Sequence, residues 1–191
     1  MPTDLNEPSG TVVAMSRHAQ DTPSSAPRPV HRGRNAAVAT GLVVAAAAGG
    51  SLFTDPKGDW YRGLKKPPWQ PPDAAVPIVW TTLYAGIAAT STGVLNELER
   101  RGDHDRAAGY TRALGVNLTI NGLWSLVYFR WHNLPAATVG AGVLALNSWL
   151  LAKRAGLVDR KFGLQLTPYA LWTSFATALT GSMWSRNPRK S

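Results

Sequence analysis

The distribution of charged residues constrains this chain more than any other feature of its sequence. Five windows contain no Asp, Glu, Lys or Arg, namely residues 35–54, 74–96, 113–129, 131–152 and 162–185. They are 17 to 24 residues long, and all charged residues lie between or outside them. A helix rises about 1.5 Å per residue and a hydrocarbon core is about 30 Å thick, so each window has the length of a membrane-spanning helix. The pattern predicts an all-α integral membrane bundle of five transmembrane helices.

The mean hydropathy of −0.12 resembles that of a soluble protein. The windows contain Thr, Ser, Asn and Gly, which hydrogen-bond or pack closely between membrane helices. The alternative is a soluble all-α protein, whose helices have a charged face. No window has such a face. The low mean hydropathy therefore reflects polar residues in the tail, the loops and the interior of the bundle.

The sequence predicts three segments: a disordered tail over 1–34, the five-helix domain over 35–187, and a short C-terminal tail over 188–191. Residues 1–34 combine five prolines with Ser, Thr, Asp and Arg and show no apolar period, which is typical of disorder. Arg28, Arg32 and Arg34 precede the first helix. Contact with anionic lipid headgroups and simple topology-setting charge both explain them.

Positive charge favours one orientation of the five spans. The side with the N-terminus carries 12 Lys and Arg residues and the other side carries 8, so the positive-inside rule favours an N-terminus inside the cell, in a multi-pass protein of the cell membrane. The net charge of +9 is divided over both faces. This division argues against a nucleic-acid partner, which would need one basic surface.

The segment between the first two windows reads W-Y-R-G-L-K-K-P-P-W-Q-P-P at 60–72. Four prolines exclude a helix or a central strand and predict a stiff, extended segment that presents Trp60, Tyr61 and Trp69 in set directions. An interfacial anchor and a lid over the mouth of the bundle both fit this composition. The predicted lid residues are Trp60, Lys66, Pro67, Trp69, Pro71 and Pro72.

Aromatic and amide side chains recur at helical spacing in three windows. The stripes are Trp80 and Tyr84 in the second; Asn117, Asn121, Trp124 and Tyr128 in the third; and Tyr169, Trp172 and Ala176 in the fifth. Facing one another, they would line an apolar pocket with a few polar groups, the usual form of a small-molecule site. Periodicity alone favours the alternative, in which the stripes are helix-packing surfaces.

The sequence argues against most enzyme classes. It has no placeable Ser-His-Asp set, paired carboxylates or Gly-rich phosphate loop. No acidic residue lies within a window, which disfavours a proton-coupled transporter. His18 and His31 lie in the predicted tail, His104 in a loop and His132 at a helix end, so we expect neither a metal site nor a required cofactor.

Four motifs, in order, resemble the TspO/MBR family of translocator proteins, also called tryptophan-rich sensory proteins or peripheral-type benzodiazepine receptors. They are W-Y-x-x-L-x-K-P-x-W-x-P-P at 60–72, V-W-T-x-L-Y at 79–84, N-x-x-W-S-x-x-Y-F at 121–129 and P-Y-x-x-W-x-x-F-A at 168–176. The resemblance covers residues from about 36 to 187. It implies a five-helix bundle that binds porphyrins and isoquinoline-type ligands in a cavity below the first loop.

The resemblance and the stripes together give the expected ligand-binding residues: Tyr61, Trp80, Tyr84, Asn117, Asn121, Trp124, Trp172 and Ala176. It also implies a homodimer, which Gly140 and Gly142 would permit by close approach. The expected function is binding of porphyrins, with a sensing or regulatory role in tetrapyrrole metabolism or stress. Membrane lipids and a porphyrin-like molecule are the expected partners.

Two other functions stay open. One is light-dependent breakdown of porphyrin with pocket Trp residues as electron donors, an enzymatic activity that needs no base or nucleophile. The other is transport of porphyrin or lipid. A binding protein without catalysis is favoured over both.

Overall fold

The computed structural model describes residues 30–188 and is entirely helical over that range, with six α-helices and no strand. The helices are α1 (Arg32–Phe53), α2 (Asp59–Arg62), α3 (Ala75–Arg101), α4 (His104–Ser125), α5 (Leu134–Gly156) and α6 (Arg160–Arg186). A π-helical turn, Leu126–Arg130, continues α4. The five long helices correspond, in chain order, to the five charge-free windows. The all-α fold with five long helices is therefore confirmed.

Three of the long helices, α1, α3 and α5, are long and apolar enough to span a membrane by length and composition. The other two, α4 and α6, contain more polar residues, and several of their hydroxyl groups bond to carbonyl oxygens of the same helix. Thr119 donates to the carbonyl oxygen of Gly115, and Thr173 donates to that of Tyr169. Such internal bonds satisfy the requirement that a membrane interior places on polar groups.

Side-chain caps and one glycine set the ends of the long helices. Asp103, Asn133 and Asp159 accept hydrogen bonds from the first backbone N–H groups of α4, α5 and α6. Gly102 ends α3 with φ of 71°, a left-handed conformation that glycine adopts without strain. These local signals keep the connections between α3, α4, α5 and α6 short.

The predicted boundary of the disordered tail is wrong for residues 32–34, which form the first turn of α1. The reason is Glu99 near the end of α3, which is 7% exposed. Its carboxylate accepts hydrogen bonds from His31, at 2.7 Å from Nδ1, and from Arg34 and Asn35. These bonds fix the start of α1 against α3. The rest of the predicted tail, residues 1–29, and residues 189–191 lie outside the described residues.

The first loop also differs from the prediction at its beginning. Trp60 and Tyr61 lie in the short helix α2 rather than in an extended segment. Within residues 60–72 the first proline is Pro67, so no proline prevents a helical turn at Trp60 and Tyr61. Residues 65–72, which contain the prolines, have no helix or strand, as predicted.

The first loop is fixed across one end of the bundle. Asn187, directly after α6, accepts a hydrogen bond from the backbone N–H of Lys65 at 2.9 Å and donates one to the carbonyl oxygen of Lys65 at 3.1 Å. The start of α1 and the end of α3 meet at the opposite end, as the bonds to Glu99 show. The loop therefore lies over the bundle end at which α6 terminates.

Candidate ligand-binding site

A cavity of about 470 Å³ lies among α1, α3, α4 and α6, beneath the first loop. Of the eight predicted ligand-binding residues, the structure places six on its wall: Tyr61, Trp80, Tyr84, Asn121, Trp124 and Ala176. These side chains come from the loop, α3, α4 and α6. The wall is mostly apolar and combines aromatic rings with several hydroxyl and amide groups, as small-molecule pockets usually do.

The other two predicted residues, Asn117 and Trp172, do not line this cavity. Asn117 is fully buried and bonds to α5 through Asn147 and to α6 through Tyr169. The ring of Trp172 lies edge-on to Trp80, with centroids 6.5 Å apart. Asn117 therefore joins helices, and Trp172 forms a second layer behind the wall.

The aromatic wall is held in a defined orientation. The indole N–H of Trp124 donates to the carbonyl oxygen of Ala137 on α5 at 3.0 Å, and its ring stacks on Tyr128 with centroids 5.4 Å apart. On the opposite helix, Trp80 and Tyr84 lie 5.5 Å apart. Fixed rings of this kind present flat apolar surfaces without loss of side-chain entropy on binding.

Tyr128 and Phe129 also line the cavity, although neither was among the predicted site residues. Tyr128 continues the predicted stripe of α4, but Phe129 follows directly after it and falls outside the stripe. The π-helical turn explains this, because the N–H of Trp131 bonds the carbonyl oxygen of Leu126, five residues earlier. The wider turn changes the rotation per residue, so two consecutive rings reach the cavity.

Two buried polar atoms near the cavity lack a hydrogen-bond partner among the described residues. Gln70 donates through Nε2 to Tyr61 and Asp73, while its Oε1 is buried without a hydrogen bond. The indole N–H of Trp172, behind the wall, is likewise buried without a hydrogen bond to residues 30–188. One buried acceptor near the loop and one buried donor on α6 are therefore left without a partner.

The polar groups of the loop form a network around Asp73. Its carboxylate accepts hydrogen bonds from the hydroxyl of Tyr61 at 3.1 Å and from Nζ of Lys66 at 3.1 Å. Lys66 also lies over the Tyr61 ring, 4.0 Å from its centroid. Burial raises the pKa of Tyr61 to about 12, and the charge of Asp73 adds to this shift. Tyr61 is therefore a neutral hydrogen-bond donor at physiological pH.

The remaining predicted lid residues connect the loop to the bundle. Trp60 stacks on His132 at the end of the π-helical turn, with centroids 4.4 Å apart. Trp69 contacts Phe175 of α6 edge-on at 5.6 Å. Pro67 is buried, Pro71 is half-buried and Pro72 is exposed. The loop is thus a structured cover, held to α4 and α6 by aromatic contacts.

Taken together, the fold and the site define a class: helical membrane proteins with an internal aromatic cavity under a structured loop. The model of the TspO/MBR family matches residues 38–185, which is most of the chain. The chain belongs to this family, and the family is membrane-bound.

Named relatives agree with this assignment. Protein CrtK of Rhodobacter capsulatus is 32% identical over 146 residues, which cover 75% of this chain and 86% of that protein. The tryptophan-rich protein TspO of Chlorobaculum tepidum is 29% identical over 153 residues, covering 80% and 95%. The human translocator protein is 30% identical over 159 residues, covering 78% and 89%.

Proposed function

We propose that this protein binds a flat, apolar, porphyrin-like molecule in the aromatic cavity and acts in sensing or regulating tetrapyrrole metabolism or stress. The observation that supports this most strongly is the wall formed by Trp80, Trp124 and Tyr128, whose flat rings suit a planar macrocycle. The cavity volume of about 470 Å³ lies within the usual range for small-molecule sites.

The groups around the cavity also suit the polar parts of a porphyrin. Arg62 and Lys65 lie exposed on the loop and would bind propionate groups at the mouth. The macrocycle would thus lie in the aromatic interior and its carboxylates near water.

Absorbance titration of the purified protein with protoporphyrin tests this function. We expect Trp80→Ala to weaken binding about tenfold or more, since it removes apolar contact area from the wall. Trp184→Ala is the matched control, because this Trp is 43% exposed and lies outside the cavity. Equal affinities in the wild type and both variants would exclude the cavity as the site.

Light-dependent breakdown of the bound porphyrin is a second candidate function, favoured by a row of aromatic rings. Trp80 contacts Trp172 edge-on, Trp172 stacks on Phe175 at 5.3 Å, and Phe175 contacts Trp69 on the loop. Such a row offers oxidisable indoles close to a photoexcited ligand. Molecular oxygen would be the co-reactant.

Trp172→Phe separates breakdown from binding, because Trp172 lies outside the cavity wall. We expect this variant to bind protoporphyrin with near wild-type affinity. Under illumination in air, it should lose pigment absorbance several-fold more slowly than the wild type. Pigment loss at the same rate in both proteins would argue against an electron-donor role for Trp172.

A further inference from the structure

A second pocket, of about 330 Å³, lies between α4 and α5, far from the aromatic cavity. It is at the end of the bundle where α4 begins and α5 ends, opposite the first loop. Its walls include Arg112 of α4 and Arg154 of α5. Arg112 directly precedes one charge-free window, and Arg154 lies two residues after another. Both cations are therefore at the level where hydrocarbon gives way to lipid headgroups.

Neither arginine has a partner within the described part of the chain. Between residues 30 and 188, Arg112 and Arg154 take part in no ion pair and in no side-chain hydrogen bond. Two unpaired guanidinium groups from different helices thus share one pocket. Arginine is well suited to bind a phosphate group, because its planar fork donates two parallel hydrogen bonds.

The acidic side chains at this end of the bundle do not neutralise the pocket. The ion pairs are Glu97 with Arg100 and Arg101, Glu99 with His31 and Arg34, Asp103 with Arg106, and Asp159 with Lys161. Asp105 makes no ion pair within residues 30–188 and lies two helical turns from Arg112. The two exposed arginines therefore give the pocket a local positive charge that suits an anion from outside the chain.

Apart from Asn147, the rest of the pocket is apolar, and part of it faces the surroundings of the bundle. Val116 is 52% exposed and Leu150 is 47% exposed, and both lie on the side of the arginines that points into the membrane. Gly109 leaves the groove open, since a Cβ atom there would meet nothing within 4 Å. Asn147 accepts a bond from Asn117, and its own amide N–H group stays unbonded among the described residues.

We propose that this pocket binds one anionic phospholipid, whose phosphate contacts Arg112 and Arg154 and whose acyl chain lies along Val116 and Leu150. The combination of two unpaired cations with an exposed apolar groove fits an amphipathic anion. A free phosphate would use only the arginines and leave the apolar part in contact with bulk lipid. Basic pockets between membrane helices are a recurrent form of headgroup site.

Native mass spectrometry of the full chain tests the proposal by counting bound phosphatidylglycerol and phosphatidylcholine. We expect the wild type to retain one phosphatidylglycerol preferentially, and Arg112→Gln with Arg154→Gln to reduce this preference about tenfold. The matched control is Lys153→Gln with Arg160→Gln, which removes two cations from the same membrane face but outside the pocket. Equal losses in both double variants would show a general surface charge and overturn the site.

A second variant tests the shape of the pocket without removing charge. A Cβ atom at Gly109 meets nothing within 4 Å, so Gly109→Leu places a side chain in the groove and replaces glycine by a better helix former. We expect it to weaken phosphatidylglycerol binding several-fold while the melting temperature is kept. Unchanged binding in Gly109→Leu, or full displacement of the lipid by millimolar inorganic phosphate, would contradict a lipid site.

Discussion

At the scale of single residues, Asp73 organises the loop that covers the cavity. It accepts hydrogen bonds from Tyr61, Lys66 and Gln70. Burial alone would raise the pKa of Asp73, but the hydrogen bonds from Lys66 and Tyr61 and the charge of Lys66 bring it below its usual value of 3.8. The network is therefore complete at neutral pH, with Asp73 ionised and Tyr61 protonated.

The pH dependence of the loop follows from these two shifts. The folded pKa of Asp73 is lowered, so the stability that its ionised carboxylate gives to the loop is present above pH 3.8. That stability is lost as the pH falls through the folded pKa. The folded pKa of Tyr61 is raised from 10.0 to about 12, so the stability that its protonated hydroxyl gives to the loop is present below pH 10.0. That stability is lost as the pH rises towards about 12. We expect hydrogen-exchange protection factors of residues 61–73 to be constant between these limits.

Asp73→Asn is the control for the acid side of this profile. The amide cannot titrate, so we expect the loss of protection below about pH 4 to disappear. Since Asp73 is exposed to water on one side, the effect should be confined to the loop, with little change in global stability. The same acid transition in wild type and variant would show that another group is responsible.

At the scale of elements, α5 and α6 form a tightly packed helical hairpin. A Cβ atom on Gly163 would lie 2.9 Å from the Cα atom of Gly156 and 3.1 Å from the carbonyl oxygen of Ala152. Backbones that approach this closely are typical of small residues at membrane helix interfaces. The hairpin supports the cavity, because α6 carries Ala176 on the wall.

Gly163→Ala is expected to destabilise the protein by about 1–3 kcal/mol, because the contact atoms belong to the backbone and the two helices must move apart. Gly115→Ala is the matched control, since a Cβ atom there meets nothing within 4 Å. That control should be neutral or slightly stabilising, because alanine is the better helix former. Melting temperatures in the same detergent measure both, and a Gly163→Ala protein as stable as the control would contradict the packing argument.

At the scale of the whole molecule, a buried chain of hydrogen bonds connects four helices. Asn117 of α4 donates to Asn147 of α5 at 2.9 Å and accepts from Tyr169 of α6 at 2.8 Å. Tyr169 in turn accepts from Asn121 of α4, which accepts from Tyr84 of α3 at 3.5 Å. The network begins at the cavity wall and ends in the α4–α5 interface, so it links the shape of the cavity to the packing of the bundle.

Asn117→Ala and Asn121→Ala are expected to separate stability from binding. Both leave buried polar partners unsatisfied and should cost about 1–3 kcal/mol of stability. Only Asn121 lines the cavity, so only Asn121→Ala should also weaken protoporphyrin binding beyond the effect of stability. The two measurements are the melting temperature and the dissociation constant. Equal binding losses in both variants would show that the network acts on the site as a unit.

Much of the fold could be predicted from the sequence because the hydrocarbon core disfavours each charged residue independently of how its helix packs. A charged side chain is costly in hydrocarbon wherever its helix packs, so the charge-free windows mark the five long helices. The prolines of residues 67–72 exclude a helix in the same local way. Helical spacing alone places Trp80 with Tyr84, and Asn121 with Trp124, and the structure places all four on one cavity.

Only the tertiary structure decided which aromatic and amide groups reach the cavity and which hold the bundle together. Asn117 and Asn121 share a stripe and are both buried, yet only Asn121 lines the cavity, while Asn117 bonds to α5 and α6. Phe129 reaches the cavity because the backbone hydrogen bonds shift to a π-helical register over Leu126–Arg130, which no local period indicates. Residues 32–34 are helical because Glu99, far away in sequence, binds the start of α1. Local composition selects the helices, but side-chain roles depend on partners that come together only after the helices have packed.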